Sequence, residues 1–119
     1  MNIEEYKSFD ATGLANLVKK GEVTAIELLE LAMSIVNNSE KKISALTTQA
    51  FDYGKKEIEK EKKDGYFYGV PFMLKDLNVS CKGLPTTMSN SLFENNIPKY
   101  ESDLIRIDNK RDLIILGMT

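Results

Sequence analysis

The run Leu113-Ile114-Ile115-Leu116, closed by Gly117, limits the fold more than any other part of this chain. Consecutive apolar residues without alternation suit a strand covered on both faces, which requires layers of other elements on each side of a sheet. A second apolar stretch, residues 66–74, is rich in aromatic and β-favouring side chains, and Gly69 and Pro71 inside it point to a strand with an irregular start. The extended pattern continues through Leu77, Asn78 and Val79 to a turn at residues 82–87.

Helical signals occupy the first half. Residues 10–20 place Leu14, Leu17 and Val18 at helical spacing, with Gly21 standing where a C-terminal cap belongs. Thr24 and Glu27 have the spacing of a capping box ahead of AIELLELAMSIV, and Asn37, Asn38 and Ser39 are expected to close that helix. Ile43, Ala45 and Thr47 fit either a short strand or the lead-in to a next helix. Residues 50–63 interleave Lys55, Lys56, Lys60, Lys62 and Lys63 with Glu57, Glu59 and Glu61, the pattern of a solvated helix ending at Asp64-Gly65. Weak periodicity through Leu104, Ile105 and Ile107 gives a last helix over residues 101–111. The order helix, helix, helix, strand, helix, strand points to α/β. No repeat or linker divides the 119 residues, so they read as one piece, a helical region over 1–64 and the start of an αβ core over 65–119. Few strands are available and no crossover helix follows the last, so the sheet looks incomplete.

Composition narrows the function. Sixteen Lys and Arg against eighteen Asp and Glu give a net charge of −2, without the basic excess of a nucleic-acid binder. The longest apolar run is about half the ~20 residues of a spanning helix, and the N terminus lacks a signal-peptide layout, which leaves the cytoplasm as the expected location. With no His and a single cysteine, Cys81, the chain holds neither a disulfide framework nor a zinc ligand set, and no metal or other cofactor is expected. Proton transfer would have to run through Lys, a carboxylate, Tyr or Cys81.

Lys75 follows the apolar run directly. From spacing alone it either reaches solvent or pairs with a carboxylate such as Asp76, or, if buried, serves as a neutral base for a serine hydroxyl, since removing an ammonium from water lowers its pKa. Asp76 alternates onto the other strand face in the simplest reading. Cys81 lacks a neighbour to activate its thiol and reads as an inert small residue rather than a nucleophile. Thr86 and Thr87 are turn residues after Pro85, and Tyr66, Phe67 and Tyr68 are core candidates.

The stretch GVPFMLKDLNVSCKGLPTTMSNS, residues 69–91, resembles the first block of the amidase signature family, with its G-[VI]-P-x-x-[VL]-K-D and K-G-x-x-T-T motifs. Upstream, LANLVKKGEVTAIELLELAMSIV resembles the family's N-terminal helical pair; downstream, ESDLIRIDNKRDLIILGMT resembles a helix and strand ending Leu-Gly-Lys-Thr. The lysine block also resembles that of the nylon-oligomer cyclic dimer hydrolases. The resemblance implies an α/β fold around a mixed sheet, a small-molecule amide substrate, and C–N hydrolysis by a Ser, cis-Ser, Lys triad in which Lys75 is the base.

Departures from the pattern shape the expectation. The family's two serines belong to a Gly- and Ser-rich segment beyond the Leu-Gly-Lys-Thr strand, and neither is present here. Ser80, Ser89 and Ser91 do not lie in such a turn and read as loop hydroxyls. Asp108 stands where the family has an apolar residue, Arg111-Asp112-Leu113 replaces a small Ala-Gly-Ala turn, and Met118 replaces a lysine. An unpaired buried carboxylate is costly, so Asp108 is expected to turn outward or to loosen its helix. The chain is thus expected to be an N-terminal amidase portion, inactive alone, or else a non-catalytic module whose sheet is completed by a partner polypeptide.

Overall fold

A computed structural model of the protein describes residues 1–60 and 64–119. The described elements run α1 (Ile3–Ser8), α2 (Ala11–Lys20), α3 (Ala25–Ile43), β1 (Thr48–Gln49), α4 (Phe51–Glu59), β2 (Pro71–Leu74), a 3-10 turn (Ser91–Phe93), α5 (Asp103–Arg111) and β3 (Ile114–Met118). The architecture is a mixed α/β one, as the sequence pattern indicates.

Caps set the helix starts. Thr24 accepts the Glu27 N–H at 3.2 Å while the Glu27 carboxylate accepts the Thr24 N–H at 2.8 Å, the reciprocal box expected for α3. Gly21 ends α2 in the left-handed conformation, with φ 74°. The sequence pattern did not bring out α1, although Asn2 and Glu5 satisfy each other's N–H groups in the same way. α3 also continues beyond Asn37, Asn38 and Ser39 to Ile43. Those residues cost little inside a helix, and Lys41 and Lys42 in its last turn favour the negative end of the helix dipole. The expected extension of α4 through Glu61, Lys62 and Lys63 lies outside the described residues.

β3 is the central strand, antiparallel to β1 and parallel to β2. Ile114 and Leu116 join Leu29, Ala32, Met33 and Val36 of α3 on one face, with Phe51 and Ile58 of α4 packed beside them. Ile115 and Met118 join Leu74, Val79, Cys81, Leu84 and Ile105 on the other. The central strand is therefore covered on both sides, which accounts for its unbroken apolar sequence. Ile115 and Met118, an odd number of residues apart, share a face because the β2–β3 register slips between Phe72 and Met73. The extra residue inverts the alternation beyond it. A third cluster joins Leu14 and Ala15 of α2 and Leu28 of α3 to Val70.

Gly69 shows why the segment before β2 needs glycine. Its φ is +84°, and a Cβ there would lie 2.8 Å from the Cβ of Ala25. The preceding turn docks on the end of α5: Gly65 N–H donates to the Asp112 carboxylate at 2.7 Å, and Phe67 N–H to the Arg111 carbonyl at 2.9 Å. Arg111-Asp112 thus anchors this turn, with Asp112 in the left-handed conformation that ends the helix.

Two local expectations are corrected. The extended pattern does not continue through Leu77, Asn78 and Val79, because Asn78 adopts φ 58° and the chain turns away from the sheet. Asp108 does not face outward. α5 forms and docks through the fully buried Ile105, and Asp108, 7% exposed, lies on the same inward side. Among the described residues its Oδ2 has no hydrogen-bond partner. Burial raises its pKa, with Arg111 partly opposing the rise, so the carboxyl relieves the cost by holding its proton more tightly.

Candidate functional site

β2 ends in the core and is followed at once by two charged residues, Lys75 and Asp76. Leu74 anchors the strand in the core at 2% exposure, and the next residue, Lys75, projects into solvent. Its neighbour Asp76 points the other way and is 3% exposed. Strand alternation separates the two, so Asp76 is not the lysine's ion-pair partner. Among the described residues the Lys75 ammonium has no hydrogen bond or salt bridge.

Asp76 instead holds the turn that carries the two threonines. Its carboxylate accepts the Thr87 N–H at 2.6 Å, the Thr87 hydroxyl, and the Met88 N–H at 3.3 Å. Burial raises the carboxyl's pKa, but these hydrogen bonds favour the charged form more strongly, and the net result lies below the ordinary Asp value. Met88 and Ser89 both adopt positive φ, 51° and 55°. This pair of left-handed residues wraps backbone N–H groups around an internal anion. The Asp76 N–H also donates to the Thr119 carbonyl at 2.7 Å, so one residue ties the ends of β2 and β3 to the loop. Thr86 is buried: its hydroxyl donates to the Val79 carbonyl at 2.9 Å, and Asn96 pairs with its backbone through N–H and side-chain amide bonds of 2.9 and 3.0 Å. No local pattern announces this clamp, since Asp76 and Thr87 are separated by 11 positions.

The other candidates separate cleanly. Cys81 is fully buried, and burial raises its thiol pKa although a contact to the Tyr53 hydroxyl at 3.6 Å partly opposes this. It is a core residue. Ser80 uses its carbonyl to accept the Ser102 N–H, Ser89 donates its N–H to Thr87, and Ser91 begins the 3-10 turn. Within the Tyr66-Phe67-Tyr68 cluster, Phe67 packs against the core while Tyr66 is 69% exposed and stacks edge-on against Phe67. Met118, standing in place of the family's lysine, is fully buried. Among the described residues no group of His, Cys, Asp and Glu is placed to hold a metal ion, and no helix is long and apolar enough to cross a membrane.

The Amidase family profile matches residues 26–119. A glutamyl-tRNA(Gln) amidotransferase subunit of Thermoanaerobacter pseudethanolicus is 34% identical over 110 residues, which are 87% of this chain and 22% of that protein. The 6-aminohexanoate-cyclic-dimer hydrolase of Paenarthrobacter ureafaciens is 32% identical over 112 residues, 92% of this chain and 22% of that protein. A solved structure of 6-aminohexanoate cyclic dimer hydrolase complexed with substrate superposes with a TM-score of 0.84 at 30% identity, over 93% of this chain and 23% of that one. The chain thus spans less than a quarter of the length of these relatives. The lysine block, the two-sided core around β3 and these likenesses agree: the chain belongs to the amidase signature family and corresponds to the N-terminal part of its hydrolases.

Proposed function

We propose that this chain is the base-bearing N-terminal portion of a C–N hydrolase, a helical region (1–64) followed by the start of an αβ core (65–119) in one amidase domain that acts on a small-molecule amide in the cytoplasm. The observation that carries the reading is the position of Lys75: it terminates the strand of the family's lysine motif, in a scaffold that superposes on a cyclic amide hydrolase. In this scheme the Lys75 amine accepts a proton from a bridging serine, which takes one from the nucleophilic serine. The serine oxygen adds to the amide carbonyl, the C–N bond breaks as the amine leaves with a proton, and water then hydrolyses the acyl ester. Both serines come from polypeptide outside these 119 residues.

The exposure of Lys75 fits this division of labour. A lysine acts as a base when it is desolvated, and the required cover has to come from chain packed over the tip of β2. The purified 119-residue chain is therefore expected not to hydrolyse 6-aminohexanoate cyclic dimer. A fusion to the remainder of the Paenarthrobacter ureafaciens hydrolase is expected to do so, and Lys75→Ala in that fusion is expected to reduce kcat by at least a thousandfold. Activity of the isolated chain, or of the Lys75→Ala fusion, overturns the reading.

A further inference from the structure

We propose that the cavity between α2 and the turn leading into β2 is a binding site for an ω-amino acid, a small zwitterion whose carboxylate and ammonium are separated by an apolar chain. The site goes beyond the hydrolytic reading: it lies at the N-terminal end of β2, whereas Lys75 follows the other end.

The cavity holds about 590 Å³, within the roughly 300–1,000 Å³ usual for small-molecule sites. Its two walls are held independently. α2 supplies one wall and is fixed to the core by the buried Leu14 and Ala15. The turn supplies the other and is tied to the end of α5 by the Gly65 and Phe67 N–H groups. Phe67 packs into the cluster around Leu14 and Val70, while its neighbours Tyr66 and Tyr68 line the cavity. Val18 adds apolar surface from the helix. Walls already held in place need little further ordering when a ligand binds.

The polar groups decide the ligand. Asn16 and Lys19 are three residues apart on α2, so they bring an amide and an ammonium to one face of the helix. Asp64 brings a carboxylate from the turn. Among the described residues the ion pairs join Lys7 to Glu4, Lys20 to Glu22, Lys60 to Glu57 and Arg106 to Asp103, so neither Lys19 nor Asp64 is neutralised. Two unpaired charges of opposite sign on separate elements match a molecule with the reverse charges at its two ends. Its carboxylate meets Lys19 and the Asn16 amide, and its ammonium meets Asp64 and the tyrosine rings. Its methylene chain lies against Val18. An α-amino acid fits less well, because its own charges are adjacent while Lys19 and Asp64 are too far apart to pair with each other. Hydrolysis of a cyclic amide adds OH to the carbonyl carbon and H to the nitrogen as the C–N bond breaks, which releases a zwitterion of the required kind. The source of the ligand as a reaction product rests on the functional reading above; the ligand class does not.

The test titrates the chain with 6-aminohexanoate and follows its backbone amides by NMR, with hexanoate, hexylamine and 2-aminohexanoate as comparison probes. Expected are saturable shifts at Asn16, Lys19, Gly65 and Tyr68, and at least tenfold weaker binding of each comparison probe. Lys19→Gln and Asp64→Asn, both at exposed positions, are each expected to weaken 6-aminohexanoate binding at least tenfold with the helical circular dichroism unchanged. Lys20→Gln, at a residue outside the cavity that pairs with Glu22, is expected to bind as the unaltered chain does. No saturable shift at millimolar 6-aminohexanoate, or unchanged binding in either Lys19→Gln or Asp64→Asn, overturns the site. Equal binding of hexanoate or hexylamine overturns the zwitterion, and equal binding of 2-aminohexanoate overturns the separation of its charges. The titration needs no turnover, so full hydrolysis by a Lys75→Ala fusion would remove the functional reading and leave the binding result standing. Missing shifts alongside an active, Lys75-dependent fusion would remove the site alone.

Discussion

The carboxylate of Asp76 accepts hydrogen bonds from both the backbone N–H and the hydroxyl of Thr87, joining the tip of the lysine-bearing strand to a turn 11 residues further on. Through this contact the K-D and T-T halves of the family motif form one structural unit.

Thr87→Val is expected to destabilise the chain by roughly 1.5–3 kcal/mol, the range for a hydrogen bond to a charged group, as measured by urea unfolding. The folded-state pKa of Asp76 is lowered, so its contribution is fully present above the unfolded value of ~3.9 and disappears as the pH falls through the folded value. Asp76→Asn is expected to flatten this acid limb of the stability curve. An unchanged limb would assign it to other carboxylates.

Asp108 has the opposite sign. Its folded-state pKa is raised, so it costs stability as the pH climbs above the unfolded value of ~3.9, and the full cost remains above the folded value. Asp108→Asn is expected to stabilise the chain by roughly 1–3 kcal/mol at neutral pH, and the gain is expected to vanish below about pH 4. Paired urea titrations at the two pH values check both statements.

Two glycines with similar backbone angles are expected to respond differently to alanine. Gly21 and Gly69 have φ of +74° and +84°, but a Cβ at Gly21 meets nothing within 4 Å while one at Gly69 reaches Ala25 at 2.8 Å. Gly21→Ala is expected to cost about 1–2 kcal/mol for the left-handed conformation alone. Gly69→Ala adds the clash, and thermal unfolding is expected to rank it clearly below Gly21→Ala.

Where sequence signals are local, they can be read directly. The Thr24–Glu27 box, Gly21 and the unalternating apolar run of β3 each express a nearby physical requirement, and the motif around Lys75 is contiguous. Sequence and structure part where tertiary packing decides. The inward turn of Asp108 depends on Ile105 anchoring α5 in the core, and the clamp by Asp76 depends on a turn whose left-handed residues, Met88 and Ser89, are not glycines. α3 outruns its expected end because Asn and Ser mark helix ends only weakly. The box at Asn2 and Glu5 is legible by the rule that finds Thr24 and Glu27.

Among the described residues β1 and β2 do not pair with each other; each pairs with β3, which follows both in sequence. On a ribosome, both earlier strands therefore emerge unpaired and wait for later codons to be translated. The capped helices can form as they appear, but these three strands join only when residues 114–118 enter between β1 and β2. A stall in translation before that point would leave nascent chains with helices but without this pairing, and with the apolar residues 66–74 open to chaperones and proteases.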